Sequence, residues 1–165
     1  MRADATEVIS AARERRLTIA VAESLTGGLV AAALTSVPGA SEVFLGGLVT
    51  YDAGVKAALL GVGEGMLSGE GPVSEAVALA MADGARARFG ADVAVSTTGA
   101  AGPEPHGGRP PGTVCIAATR DGRRSARTLW FEGDREAVRL AAAEAAIVEL
   151  VTILHSEAPG GTTVE

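Results

Sequence analysis

The sequence predicts a single three-layer α/β/α domain built on a mixed, mostly parallel sheet of about five strands. Short apolar runs alternate with segments of helical periodicity, which is typical of a sheet covered by helices on both faces. The last two strand candidates flank the turn Asp121-Gly122, which indicates an antiparallel hairpin at one side of the sheet. A chain of 165 residues can bury one self-sufficient core.

The elements follow one another with few long gaps. The strand candidates are 17–22, 42–51, 92–97, 113–119 and 125–131. The helix candidates are 3–16, 26–37, 54–60, 72–89 and 135–155, with Ser74 and Asp134 as N-caps of the last two. Residues 61–71 hold five glycines and are predicted to be a loop. The domain is expected to span 1–157 and to be followed by a flexible tail at 158–165.

Composition and charge exclude several classes of protein. The net charge is −6 and only five residues are aromatic, whereas general nucleic-acid binding needs a basic surface. The single cysteine, Cys115, excludes an internal disulfide and is expected to be a packing residue, and two histidines are too few for a zinc cluster. No apolar run approaches the ~20 residues that span a bilayer, and the first ten residues are too acidic for a signal peptide. We therefore expect a cytoplasmic protein without a membrane or nucleic-acid partner.

One basic residue differs from all the others. Of the 14 basic residues, Lys56 is the only lysine, and the only tyrosine, Tyr51, precedes it by five positions. An amine can lose its proton near neutral pH when its surroundings favour the neutral form, whereas a guanidinium cannot. The lone lysine is therefore a candidate general base; the alternative is a solvated surface lysine retained by chance.

Ser24 lies between a predicted strand and a glycine-rich helix start, in the segment 22–28. Ligands of open α/β sheets gather at this end of the strands, and free backbone N–H groups there can bind an anion or an oxyanion. The alternative is that Ser24 or Thr26 is an N-cap and that Gly27 and Gly28 serve packing. The segment matches neither the GxSxG elbow nor a phosphate-binding P-loop.

A Ser–Lys pair can perform acyl transfer without histidine. If Lys56 approached Ser24 as a neutral amine, it could accept the hydroxyl proton, with Tyr51 relaying that proton or orienting the amine. The alternative is that Tyr51 ends a strand half-buried and that Lys56 is solvated.

The segment between Thr98 and Thr113 is longer than most connections and contains four of the seven prolines, which favours a functional loop over an ordinary excursion. Thr98 and Gly99 begin it at the ligand end of a strand, and its lone histidine, His106, is expected at the surface. Further on, two arginines spaced i, i+4 on the last helix could clamp a phosphate or carboxylate, or could pair with surface acids such as Glu136; they are Arg135 and Arg139.

Five stretches in order resemble the CinA C-terminal domain family, also called the PncC or nicotinamide-nucleotide amidase family, over about residues 9–153. The stretches are AESLTGGLVAAALTSVPGAS, GGLVTYDAGVKAALLGV, GPVSEAVALAMADGAR, STTGAAGP with the following GTVCIA, and FEGDREAVR. The resemblance implies hydrolysis of the carboxamide of nicotinamide mononucleotide to nicotinate mononucleotide and ammonia, with no metal or cofactor. It places the catalytic group on Ser24, Tyr51 and Lys56.

The resemblance also implies substrate-binding positions. They are Thr26, Gly27, Gly28, Thr98, Gly99, Arg135 and Arg139, with the oxyanion held by N–H groups of either 26–28 or 98–99. Departures from the family pattern are Leu25 in place of cysteine, DAGVK in place of SNEAK, and an altered loop before Gly112. They keep two alternatives open, which are an amidase for a different nucleotide or small amide and a non-catalytic nucleotide-binding protein. The size and glycine content of the chain favour a homodimer.

Overall fold

The computed structural model describes residues 1–156, and the predicted tail at 158–165 lies outside the described residues. The strands are β1 (Ile19–Glu23), β2 (Phe44–Val49), β3 (Val93–Gly99), β4 (Thr113–Arg120) and β5 (Arg123–Trp130). The helices are α1 (Arg2–Arg15), α2 (Leu29–Thr35), α3 (Ala53–Leu60), α4 (Glu64–Gly69), α5 (Glu75–Phe89) and α6 (Arg135–His155), with a 3-10 turn at Ala40–Glu42. The predicted fold class is confirmed.

The five strands form one sheet in the order β2-β1-β3-β4-β5. β1 pairs in parallel with β2 and β3, and β4 pairs antiparallel with β3 and β5, so β4 alone runs against the other four strands. The hairpin expected around Asp121-Gly122 is present as β4–β5. The carboxyl ends of β1, β2 and β3 therefore meet at one edge of the sheet, where ligands of such folds bind.

Helices cover both faces of the sheet. Odd-numbered residues of β1 and β3, such as Val21 and Val95, belong to a core with α1, α2 and α6, whereas even-numbered residues of these strands, such as Ala20 and Ala94, pack with α3 and α5. This alternation follows from the period of two in a strand and puts consecutive residues on opposite faces. Glu23, which ends β1, and Ser24, which follows it, therefore face opposite layers of helices.

A close approach between helices fixes the position of α3. A Cβ added at Gly84 of α5 would lie 2.1 Å from the carbonyl oxygen of Leu60, the last residue of α3. Only glycine lets the two helices pack at this distance. The packing holds α3, and with it Lys56, against the α5 face of the sheet.

Most helix boundaries agree with the sequence patterns, and one prediction is wrong. The side chains of Ser74 and Asp134 accept N–H bonds at the starts of α5 and α6, as predicted. The segment predicted to be a loop at 61–71 contains the helix α4. Met66 and Leu67 pack against the core beneath α4, and this tertiary contact outweighs the local glycine content. Among the described residues, no helix is long and apolar enough to cross a membrane.

Candidate active site

Three hydroxyl side chains form a row across the carboxyl edge of the sheet. The parallel registers pair Glu23 with Val49 on β2 and with Thr97 on β3. One residue further along, Ser24 stands between Thr50 and Thr98, and its N–H donates to the Thr97 carbonyl at 2.9 Å. By alternation the side chains of this second row face the layer that contains α3 and α5.

Lys56 reaches Ser24 from α3. Its Nζ lies 3.1 Å from Ser24 Oγ and 3.0 Å from the carbonyl oxygen of Tyr51. The lysine side chain is only 1% exposed, and Ser24 is 7% exposed. The Asp52 carboxylate accepts the N–H groups of Gly54 and Val55 and so caps α3, which sets the direction in which this short helix presents Lys56.

The environment of Lys56 favours the neutral amine. Burial lowers the pKa of Lys56 from its ordinary value, and the nearby charge of Asp52 opposes this shift only in part. The two protein groups at hydrogen-bond distance from Nζ are a hydroxyl and a carbonyl, neither of them charged. Because an unpaired buried ammonium is costly, the amine loses its proton more easily than an exposed lysine does. A neutral amine can accept the Ser24 proton.

Glu23, on the opposite face from Ser24, binds the start of α2. Its carboxylate accepts the N–H groups of Gly28 at 2.9 Å, Val30 at 3.2 Å and Ala31 at 2.9 Å, and Glu23 is 1% exposed. Neither Ser24 nor Thr26 is the N-cap of this helix; Gly28 occupies that position with φ of 102°. The anion that the helix start attracts is therefore a side chain of the protein itself.

Replacing Glu23 by alanine is expected to lower the free energy of unfolding by about 3 kcal/mol, because three N–H donors at a buried helix start lose their acceptor. Urea unfolding followed by circular dichroism measures the change. Glu132→Ala, at an exposed glutamate, is the matched control and is expected to have no effect. Equal stability of the Glu23→Ala variant and the parent chain would contradict the capping role.

Tyr51 contacts Lys56 through its backbone and Arg135 through its side chain. Tyr51 is 58% exposed, and Nη2 of Arg135 donates to its hydroxyl oxygen at 2.7 Å. Nη1 of Arg135 donates to the carbonyl of Gly102 at 2.9 Å. Tyr51 and Arg135 together thus tie the end of β2, the loop after β3 and the start of α6 to one another.

Arg139 holds the loop that follows Ser24. Its guanidinium donates to the carbonyl oxygens of Leu25 at 2.9 Å and Thr26 at 3.0 Å. The Thr26 hydroxyl lies 2.7 Å from the Thr97 hydroxyl, and both residues are buried. Arg139 and Thr26 therefore position this loop, whereas Arg135 faces the cavity described next.

A cavity of about 250 Å³ opens beside Ser24. It is lined by Ser24, Leu25, Tyr51, Gly99, Ala101, Gly102, Pro103, Glu104, Pro105, His106 and Arg135. Lys56 lies behind Ser24 and is not part of this lining. Thr98 is not part of it either, because its hydroxyl donates to the carbonyl of Pro72 at 2.6 Å. Ser24 is thus the point where the cavity meets the buried amine.

Backbone N–H groups at the cavity differ in whether they are already bonded. Gly28 donates to Glu23 and Gly27 donates to the Ser24 carbonyl, so these two N–H groups are used within the turn. Gly99 lies opposite Val114, and the next pair, Ala100 and Thr113, is the one that is hydrogen-bonded. Because hydrogen-bonded and non-bonded pairs alternate in an antiparallel ladder, the N–H of Gly99 points away from β4 and towards the end of β1. A Cβ at Gly99 would lie 2.7 Å from the Thr113 carbonyl, so only glycine fits there.

Comparison with known proteins identifies the family. The family model of the CinA C-terminal domain matches residues 2–154. The chain belongs to the CinA C-terminal domain family. A CinA-like protein of Frankia casuarinae is 48% identical over 134 residues, which are 81% of this chain and 31% of that protein. This CinA-family chain thus spans about a third of the length of that curated relative.

Solved CinA-family structures share the fold closely. The competence damage-inducible protein A of Klebsiella pneumoniae superposes with a TM-score of 0.90 at 34% identity, covering 94% of this chain and 98% of that one. The competence/damage inducible protein CihA of Agrobacterium tumefaciens has a TM-score of 0.88 at 36% identity, covering 94% and 95%.

Within this CinA-family domain, sequence reasoning missed the role of Glu23 and did not say which residues of the loop after Thr98 line the cavity. Glu23 belongs to one of the stretches that resemble the family, but the sequence analysis gave it no role. Its position at the end of an apolar run and five residues before Gly28 was the one sign that it could bind a helix start. The residues 101–106 make up about half of the cavity lining, although only the length of their loop pointed to function. His106, expected at the surface, is exposed and lines the rim of this cavity.

Proposed function

We propose that this CinA-family chain is an amidohydrolase that cleaves a carboxamide with Ser24 as nucleophile and Lys56 as general base. The observation that supports this proposal best is the contact of 3.1 Å between a buried amine of lowered pKa and a serine hydroxyl at a cavity. A serine hydroxyl within hydrogen-bond distance of an amine whose pKa is lowered is an arrangement that favours activation of the serine.

The reaction proceeds through an acyl-enzyme. Oγ of Ser24 attacks the carboxamide carbon while its proton passes to Nζ of Lys56. The tetrahedral intermediate collapses as Lys56 returns the proton to the departing nitrogen, which leaves as ammonia. Water then attacks the ester carbon and gives one proton to Lys56, which returns it to Ser24 Oγ as the ester bond breaks. The product leaves as the carboxylic acid and loses its remaining proton to solvent.

The developing oxyanion needs donors that are not already bonded. The N–H of Gly99 fits this role because it points towards the end of β1 and Gly99 lines the cavity together with Ser24. The N–H of Leu25, the residue after the nucleophile, is a second donor on the same cavity wall. Gly27 and Gly28 are poorer candidates, since both N–H groups already have acceptors in the turn.

The substrate class we propose is a carboxamide nucleotide, namely nicotinamide mononucleotide. The sequence resemblance implies this substrate, and the cavity adds a cationic group suited to its phosphate. Arg135 lines the cavity and has five N–H donors, of which the contacts to Gly102 and Tyr51 use two. The Tyr51 hydroxyl accepts a hydrogen bond from Arg135 and so orients its guanidinium. Arg139 instead donates to two carbonyls of the loop after Ser24.

Ammonia release from nicotinamide mononucleotide and from the riboside that lacks its phosphate tests this proposal. The chain is expected to turn over the mononucleotide with a KM about 10- to 100-fold below that of the riboside, because one charge-assisted contact is lost. In Arg135→Ala, KM for the mononucleotide is expected to rise to the riboside value, while the riboside KM changes little. Absence of ammonia from the mononucleotide would overturn the proposed substrate.

A different carboxamide nucleotide is the second candidate substrate. The observation that favours it is the presence of Glu104 and His106 in the cavity lining, in the loop that departs from the family pattern. A panel of nucleotide and small amides with the same ammonia readout separates the two candidates. Turnover of another amide at higher kcat/KM than the mononucleotide would establish the second.

A further inference from the structure

Thr50 carries a buried hydroxyl that has no hydrogen-bond partner among the described residues. The residue is fully buried, and its Oγ1 is one of three such unpartnered buried side-chain atoms in that part of the chain, the others being Thr119 Oγ1 and Arg123 Nε. Buried polar atoms are nearly always paired, so an orphan beside an active site needs an explanation.

The position of Thr50 relates it to Lys56. Its N–H donates to the Glu23 carbonyl at 2.8 Å, which continues the β1–β2 register and sets Thr50 beside Ser24 on the same face of the sheet. Neighbouring strands lie about 4.8 Å apart. The next residue, Tyr51, supplies the carbonyl that binds Nζ of Lys56. Lys56 Nζ thus contacts Ser24, which lies beside Thr50 in the sheet, and Tyr51, which follows Thr50 in the chain.

The charged form of Lys56 needs one acceptor more than the structure supplies. An ammonium has three N–H donors, and two oxygens lie at hydrogen-bond distance, Ser24 Oγ and the Tyr51 carbonyl. Once Ser24 has given up its proton and bonded to carbon, its oxygen becomes a weak ester acceptor. The ammonium is then left with one good acceptor in a buried site.

We infer that Thr50 is a positioning residue whose hydroxyl accepts an N–H of Lys56 when the amine becomes charged during acylation. This inference rests on the proposed function, because Lys56 becomes charged during the reaction only if it takes the proton of Ser24. Thr50 then supplies the third acceptor for the ammonium. A neutral amine has two N–H donors, for which the Ser24 and Tyr51 oxygens suffice, so the Thr50 hydroxyl gains a partner only when the amine is charged. The movement that this contact requires is a change between staggered χ1 rotamers of the threonine.

The test compares three variants with the parent chain. Thr50→Val keeps the shape and removes the hydroxyl, Thr50→Ser keeps the hydroxyl, and Thr119→Val removes the other orphan hydroxyl, on β4. In Thr50→Val, kcat for nicotinamide mononucleotide is expected to fall about tenfold with KM unchanged, because a charged intermediate loses one acceptor. Thr50→Ser is expected to restore most of kcat, and Thr119→Val to leave it unchanged.

A second readout does not depend on any substrate. Because Lys56 is the only lysine in the chain, selective isotope labelling of lysine gives one side-chain NMR signal whose pH titration reports its pKa. The pKa is expected to drop by about one pH unit in Thr50→Val and to stay unchanged in Thr119→Val. A Thr50→Val variant with the parent pKa and kcat would overturn the inference. Failure of the parent chain to release ammonia would count against the proposed function alone, since the titration would still test Thr50.

Discussion

Ser24→Ala is expected to lower ammonia release from nicotinamide mononucleotide on the order of 10⁴-fold, because Ser24 carries the one hydroxyl at hydrogen-bond distance from Lys56 Nζ among the described residues. The variant should fold and bind the nucleotide as the parent chain does, since Ser24 Oγ contributes one buried contact. Steady-state kinetics with an ammonia readout measure the loss. Ser36→Ala, at an exposed serine of α2's carboxyl end, is the matched control and should retain full activity.

An acyl-enzyme gives this prediction a second observable. Hydroxylamine intercepts an ester on Ser24 and releases the hydroxamate of the substrate, so the parent chain should form hydroxamate and Ser24→Ala should not. Retention of near-parental turnover by Ser24→Ala would show that water attacks the carboxamide directly or that another residue is the nucleophile.

Lys56→Arg is expected to reduce kcat by about 10³-fold with little change in nucleotide binding, since a guanidinium keeps the charge but cannot accept the serine proton. Because a larger group at this buried position can disturb packing, Lys56→Met provides a second variant of similar length. Both should lose activity, and Lys56→Met should also unfold at higher denaturant concentration, as it removes an amine whose burial is unfavourable. Near-parental kcat in Lys56→Arg would exclude Lys56 as the base.

The lowered pKa of Lys56 also predicts how the free energy of unfolding depends on pH. In the unfolded chain Lys56 holds its proton up to its ordinary pKa of 10.5, whereas burial lowers its pKa in the folded protein. Between these two values the unfolded state binds more protons, so the contribution of Lys56 to the free energy of unfolding rises with pH through that window. It is most unfavourable below the folded pKa and vanishes above 10.5. Lys56→Met should lack this increase, which denaturant titrations across the pH range would measure.

Much of the fold was predictable from local patterns. Short apolar runs and helical spacing located all five strands and five of the six helices, and the caps at Ser74 and Asp134 marked two helix starts correctly. The helix α4 was missed because its glycines predict a loop, and only packing of Met66 and Leu67 on the core favours the helix. Local propensity is a weak influence where a tertiary contact opposes it.

The candidate site was predictable in its residue types and less so in its geometry. The uniqueness of Lys56 and its likeness to a family position both pointed to the amine, and the structure places it against Ser24. Tyr51 was expected to relay the serine proton or to orient the amine. In the structure its carbonyl contacts Lys56 and its hydroxyl contacts Arg135. Spacing along the chain does not say which end of a tyrosine faces a neighbour.

The sequence by itself determined the α/β class, the hairpin, and the presence of a serine, a lone lysine and two arginines in segments that end near one sheet edge. The tertiary structure alone decided how these residues divide their roles. Arg135 faces the cavity while Arg139 holds the loop after Ser24, and Glu23 takes the helix start that an anionic ligand could have used. The physical reason is that strand register and helix packing, which bring distant residues together, set the direction of each side chain and so choose its partner.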